Sequence, residues 1–369
     1  MEKIKHVIID GRMITKELHG IARYTYELIN RGSISNKIRY SVLTNDIKNT
    51  REIFNNNKEI RFIQMRSKFL SIGEQIELPY IINKYKNTAI FHSPSFVSSP
   101  LIKTKMVMTV HDLNHIKFSQ FYSRFHKFYY KYIVKPSAKK SERIITVSNF
   151  SKKEIIEWLN YSSENKIIVT YNGIDEKFKE IKDKKLQDEI KIKYNLPEKY
   201  ILYIGNLKQH KNVETLIKSI KYLKNDNIKL VINGKKNKRI QKIIEQYHLI
   251  NRIRFIGYVD DDDLPTIYSI AKVFVFPSLY EGFGLPPLEA MACGCPTIVS
   301  NMASLPEVVG NEGWTFSPKD FKELAYKINI LLDNKELYTK QMEYGKQQAL
   351  NYTWENLVNI SLKLYEEIY

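Results

Sequence analysis

At 369 residues the chain is long enough for two domains, and with 43% hydrophobic residues it is not wholesale disordered. No window approaches the ~20 apolar residues of a membrane span. The start, Met-Glu-Lys-Ile-Lys-His-Val-Ile-Ile-Asp, runs into a strand without the apolar core and cleavage site of a signal peptide, so a cytoplasmic location is expected. A net charge of +18 leaves three readings open. They are a nucleic acid held through counterion release, an anionic membrane surface at about 1 kcal/mol per basic residue, or the Lys-, Ile-, Asn- and Tyr-rich drift of an AT-rich genome.

The first half alternates apolar runs with helical stretches. The runs are Val7–Ile9, Tyr40–Leu43, Met106–Val110, Ile144–Val147 and Ile167–Val169. Such runs predict buried parallel strands with helices between them. Gly20-Ile-Ala-Arg-Tyr24 follows the loop around Asp10-Gly-Arg12 and by itself reads as an ordinary helix entry. Val110-His-Asp-Leu113 ends a strand, where His111 alone would be a buried, satisfied histidine. Phe121–Tyr132 interleaves aromatic and basic residues. That composition suits an interfacial membrane helix and equally a packed helix with snorkelling lysines. Ser151-Lys-Lys-Glu154 predicts a capping box opening the helix toward Trp158. A first domain covering 1–177 is expected, and Asn172-Gly173 near its end reads as a turn.

Residues 178–199 are polar and Lys-rich and predict an interdomain linker. A second strand series then runs through 200–353: Tyr200–Ile204, Ile228–Ile232, Ile253–Phe255, Val273–Phe276 and Pro296–Ser300. Two doubly wound domains facing a cleft are the expected architecture, with ligands at the carboxyl ends of the strands. An amphipathic helix, 354–369, closes the chain. Gly205-Asn-Leu-Lys-Gln-His-Lys-Asn212 leaves its strand with Lys208, His210 and Lys211 placed to meet phosphates. The run Asp260–Asp263 precedes Leu264-Pro-Thr-Ile-Tyr268 and predicts helix-capping acids in preference to a metal site. Cys293 and Cys295 lack the partner pair of a structural zinc site and are expected buried and reduced.

The richest segment is Glu281-Gly-Phe-Gly-Leu-Pro-Pro-Leu-Glu289, entered from the strand Val273–Phe276. Pro286 and Pro287 suit a first helical turn, and Gly282 and Gly284 permit close approach or positive φ before it. A helix end of this kind predicts a nest of N–H groups for a phosphate. Glu289, expected in the first turn, and Glu281 at the mouth would accept ligand hydroxyls. Carboxylates beside an anion site suggest a sugar nucleotide.

This segment resembles the Glu-x7-Glu signature of retaining glycosyltransferases of the GT-B fold, the family-4 (group 1) type. The resemblance spans Asp10 to Glu307 and implies an α/β GT-B protein of two Rossmann-like domains, with the last helix crossing back to the first. It places Glu281 against the donor sugar and Glu289 on the nucleotide's ribose, with Gly282, Phe283, Gly284 and Leu285 in the donor-binding loop. Lys211 matches the lysine that clamps the diphosphate. Asn206 stands where many members carry an arginine, so Lys208 or His210 is the candidate second cation. Gly20 matches the glycine-rich loop against the donor phosphate, and His111 the histidine near the sugar hydroxyls.

The implied donor is a nucleotide-diphosphate sugar, GDP-mannose or a UDP-sugar, used without cofactor or metal. The implied acceptor is a glycan or a lipid-linked molecule of cell-surface polysaccharide synthesis. A GT-B sugar-nucleotide epimerase and a basic nucleic-acid-binding protein are the rival readings. The former's acid–base residues have no counterpart in the matched motifs, and the latter's zinc or RNA-recognition motifs are absent.

Overall fold

Short aliphatic runs become strands buried on both faces, which is the setting for a parallel sheet between two helix layers. The computed structural model describes residues 5–16, 18, 20–35, 38–118, 124–160 and 164–369. The chain forms two units, Met1–Gly173 with Thr353–Tyr369, and Ile174–Tyr352.

In the first unit the strands are β1 (Lys5–Asp10), β2 (Ile38–Thr44), β3 (Ile60–Gln64), β4 (Ile90–Ser93), β5 (Lys105–Thr109), β6 (Arg143–Thr146) and β7 (Ile167–Val169). They pair in parallel in the order β3-β2-β1-β4-β5-β6-β7. Val7 and Ile9 pack with Tyr24 and Leu28 of the helix Ile21–Gly32, whereas Ile8 faces the opposite core with Leu78 and Phe91. The helix Trp354–Ile368 joins the first core through Trp354, Leu357, Val358, Leu364 and Tyr365. Sequence patterning omitted β3 and β4. β3 exposes polar Arg61 and Gln64, and β4 is four residues containing His92 and Ser93.

The second unit holds β8 (Tyr200–Tyr203), β9 (Lys229–Ile232), β10 (Ile253–Phe255), β11 (Val273–Phe276), β12 (Thr297–Ser300) and β13 (Trp314–Phe316). The order is β10-β9-β8-β11-β12-β13, again parallel. β13, a three-residue edge strand, also escaped the patterning. The winding direction reverses between β1 and β4 in one sheet and between β8 and β11 in the other. Such switch points open a crevice at the strands' carboxyl ends.

Several local expectations are corrected. The 178–199 segment is not a linker: it carries the helix Lys184–Lys193, capped where Asp183 accepts from the N–H groups of Lys185 and Leu186. Gln187 and Ile190 are buried, and the N–H of Ile181 donates to Ser269 at 3.0 Å, which seats the segment in the second unit. Its single strong apolar anchor, Ile190, explains the misreading. The first unit ends at Gly173, where a Cβ would lie 2.2 Å from the backbone N of Trp354. The capping box fails as well. The helix is Asn149–Leu159, capped by Ser148 accepting from Ser151 N–H at 3.0 Å, while Glu154 pairs with Lys117 at 2.9 Å.

The acidic run does not cap its helix through side chains either. Asp260 and Asp263 accept from the ammonium of Lys193 at 2.7 and 2.6 Å, and Tyr194 donates to Asp263 at 2.6 Å. Of the Phe121–Tyr132 segment, residues 121–123 lie outside the described residues. The remainder is the helix Arg124–Tyr129 continuing into a wider turn, Tyr130–Val134. Tyr129 and Tyr130 are buried, whereas Phe125, Phe128 and Tyr132 are at least half exposed. Cys293 and Cys295 are buried free thiols. Among the described residues no helix is long and apolar enough to cross a membrane.

Candidate active site

The carboxyl end of β8 releases the loop Gly205–Asn212. Gly205 N–H donates to Asn233 at 2.7 Å, and Tyr203, buried beneath, donates its hydroxyl to the carbonyl of Asn206 at 2.8 Å. Asn206 uses its side-chain oxygen to accept from Lys208 N–H, so it shapes the loop. The loop ends in a tight turn, Gln209–Lys211, and Asn212 leaves it at φ +51°. The Asn212 amide donates to the carbonyls of Pro277 and Pro318 at 3.1 and 2.9 Å, and Leu279 N–H donates to His210 O at 2.7 Å. These bonds tie the β8 loop to the segment leaving β11, across the switch point.

Lys211 is thereby delivered to Glu281. Its ammonium lies 2.6 Å from the Glu281 carboxylate, both side chains being 14% exposed, and 5.6 Å from the Phe276 ring centroid. His210 is mostly buried, and its pKa is lowered by burial and then by Lys211, with Glu281 opposing. A neutral imidazole is a poor phosphate cation, which leaves exposed Lys208 as the second candidate.

The glutamate loop is held from its own side. The Ser304 hydroxyl lies 3.0 and 2.7 Å from the carbonyl oxygens of Glu281 and Phe283, within donating distance of both. Phe283 is buried edge-on against Tyr352, so its ring packs into the second unit. Gly284 has φ +110°, and a Cβ there would meet Leu305 at 2.8 Å, so both conformation and space require glycine. The helix that follows, Leu285–Ala292, has its prolines in the first turn and no acid there. Glu289 therefore sits one turn further in than expected, because the helix begins directly after Gly284. It meets Tyr268, whose buried hydroxyl donates to it at 3.0 Å. Pro286 and Pro287 carry no amide hydrogens, so the expected nest narrows to the backbone from Gly282 to Leu285.

In the first unit, Gly20 precedes the helix Ile21–Gly32 with φ +52°. Tyr24, on the first turn of that helix, stands edge-on to His111 at 4.8 Å between centroids. The His111 Nε2 is 2.9 Å from the carbonyl of Pro94, which identifies that nitrogen as the donor. Burial pushes its pKa down to about 4, partly offset by that bond, so the imidazole is neutral near pH 7. Behind it, Tyr24, Thr109, His92 and Tyr365 form a buried hydroxyl–imidazole chain.

Two groups escaped sequence reading. Tyr268 pairs with a carboxylate 21 positions away, and no local pattern announces that. Arg12 is clamped by Asp10 at 2.6 Å and Glu74 at 2.9 Å, with all three side chains at most 2% exposed. Burial raises the Glu74 carboxyl despite Arg12. Asp10-Gly-Arg12 was visible, but its partner Glu74 is 62 residues away from Arg12.

Two doubly wound parallel units, one carrying a lysine–glutamate pair where its winding reverses, are the architecture of a two-domain α/β protein with a polar site at a switch point. Residues 185–348 match the model for glycosyl transferases group 1, and residues 18–178 that for glycosyltransferase family 4. The chain is 29% identical to O-antigen chain mannosyltransferase B of Escherichia coli, over 98% of this chain and 99% of that protein. It is 30% identical to the serotype-specific mannosyltransferase WbdA of Escherichia coli over 78% of this chain, spanning about a third (36%) of that protein. The solved structure of Anabaena HepE with UDP and glucose matches with a TM-score of 0.77 at 15% identity, covering 99% and 100% of the two chains. The chain belongs to the group 1, family 4 glycosyltransferases and has their GT-B fold.

Proposed function

We propose that this glycosyltransferase is a retaining hexosyltransferase. It moves a hexose from a nucleotide-diphosphate sugar to a glycan or lipid-linked acceptor in cell-surface polysaccharide synthesis. The observation that carries the reading is the meeting of Lys211 with Glu281 where β8 and β11 diverge, beside the glycine-led helix end at Gly284. A lysine and a helix terminus suit a diphosphate; carboxylates at 281 and 289 suit sugar and ribose hydroxyls. Relatives named as mannosyltransferases favour GDP-mannose, while the neighbour solved with UDP and glucose keeps UDP-sugars in view.

No side chain is assigned as a covalent nucleophile. In the front-face course, the leaving diphosphate takes the acceptor proton as the sugar passes through an oxocarbenium-like state. Lys211, Lys208 and the helix end stabilise charge growing on the leaving group; preorganised donors of this kind contribute roughly 3–4 kcal/mol each. His111, neutral and oriented by Pro94, is assigned to the donor sugar's hydroxyls. The reading requires no metal. The half-exposed aromatics of the Arg124–Tyr132 segment, interleaved with Lys127 and Lys131, support docking on an anionic membrane surface.

The test is a panel of GDP- and UDP-sugars scored for nucleotide release with and without acceptor glycans. The anomeric configuration of the product is then read by NMR. Turnover of one donor with retained configuration is expected. An inverted product, or no turnover of any nucleotide sugar, refutes the reading.

A further inference from the structure

The two residues assigned to diphosphate and sugar bind one another. The Lys211 ammonium and the Glu281 carboxylate are 2.6 Å apart, and each side chain retains only 14% of its exposure. The backbone on both sides of the pair is anchored, which leaves the side chains to move. Asn212, next to Lys211, is anchored to Pro277 and Pro318, and the Glu281 carbonyl is held by Ser304. An ammonium so far withdrawn from water is unfavourable without a counterion. Glu281 supplies that counterion.

We propose that Glu281 is a displaceable counterion: a diphosphate takes its place on Lys211, and only then is Glu281 released to the hydroxyls of the donor sugar. This rests on the donor-site reading above and adds an order of events to it. A diphosphate carries more charge than one carboxylate and offers several oxygens to the three donors of an ammonium. It also repels Glu281. Once displaced, the carboxylate lacks a donor in a largely desolvated place, and a hydroxyl-bearing sugar satisfies it. Phosphate recognition and sugar recognition are thereby coupled through one ion pair, and a ligand without the diphosphate leaves Glu281 occupied.

The experiment measures binding of inorganic pyrophosphate to the full chain by titration calorimetry, using wild type, Glu281→Gln, Glu289→Gln, Lys211→Gln and the Lys211→Gln/Glu281→Gln double variant. Exchange predicts that Glu281→Gln binds pyrophosphate about twofold to fivefold more tightly than wild type, the range such a pair supports. The gain should vanish in the Lys211→Gln background, and Glu289→Gln should give a smaller one. Should the isostere fold poorly by circular dichroism, Glu281→Ala gives the same comparison. Unchanged or weaker binding by Glu281→Gln overturns the proposal, as does a gain that persists without Lys211. If wild type shows no saturable pyrophosphate binding that Lys211→Gln weakens, the donor-site reading fails too. If Lys211→Gln weakens binding but Glu281→Gln gives no gain, the exchange alone fails.

Discussion

Replacing Tyr268 with Phe deletes one hydroxyl from beneath Glu289 and leaves the ring where it is. Tyr268 is fully buried, its ring 5.4 Å from Phe274 and 6.1 Å from Phe178 between centroids, so phenylalanine fills the same space. The lost hydrogen bond, 3.0 Å long, runs to a carboxylate. Bonds to charged groups contribute about 1.5–3 kcal/mol. Because Glu289 is only partly buried, water replaces some of the loss, and the low end, about 1.5 kcal/mol, is expected. In a unit of this size that corresponds to a fall in Tm of roughly 3–6 °C. The effect on binding is more telling. With Glu289 no longer oriented, affinity for a ribonucleoside diphosphate should fall about fivefold to tenfold, or roughly 1–1.4 kcal/mol. Affinity for the 2′,3′-dideoxy analogue, which offers no ribose hydroxyls, should stay level. Calorimetric titration of both nucleotides into both proteins makes the comparison. Equal losses for the two nucleotides, or none for either, refute the assignment of Glu289 to the ribose and of Tyr268 to its positioning.

Transfer should survive excess EDTA, since the proposed phosphate site is built from lysines and a helix end. Loss of activity that manganese or magnesium restores would return the acidic run 260–263 to consideration as a metal site. His92 is buried between Tyr365 and Thr109, and burial followed by the charge of His111 lowers its pKa to about 3. The unfolded chain therefore binds this proton first, near pH 6.5, so the stability due to neutral His92 is full above that pH and drains as pH falls toward about 3. Between pH 7 and 5 the loss is about 2 kcal/mol. Denaturant midpoints of His92→Asn should show a shallower drop than wild type over this range, and parallel curves would refute the point. Changing Arg124, Lys127 and Lys131 to Gln should reduce co-sedimentation with anionic liposomes, and salt should weaken wild-type binding. Equal pelleting at low salt would leave genome composition as the account of the charge.

Much of this molecule is legible locally. Val7–Ile9, Tyr200–Tyr203 and Val273–Phe276 announce buried parallel strands because a strand covered on both faces needs apolar residues at successive positions. Glu281–Glu289 announces a glycine-led loop entering a helix because its glycines and prolines lie within nine consecutive residues. Where the signal is thin, the chain misleads. Lys184–Lys193 presents one strong apolar anchor and reads as linker, and β3, β4 and β13 are too short or too polar to stand out. Pairings across the fold are silent in the sequence. Lys211 finds Glu281 70 positions on, Arg12 finds Glu74, and His92 finds Tyr365 across 273 residues. Local periodicity reports which face of an element is apolar. Which polar groups meet depends on strand order and on where the winding reverses, and these are settled only when whole sheets and their helices pack.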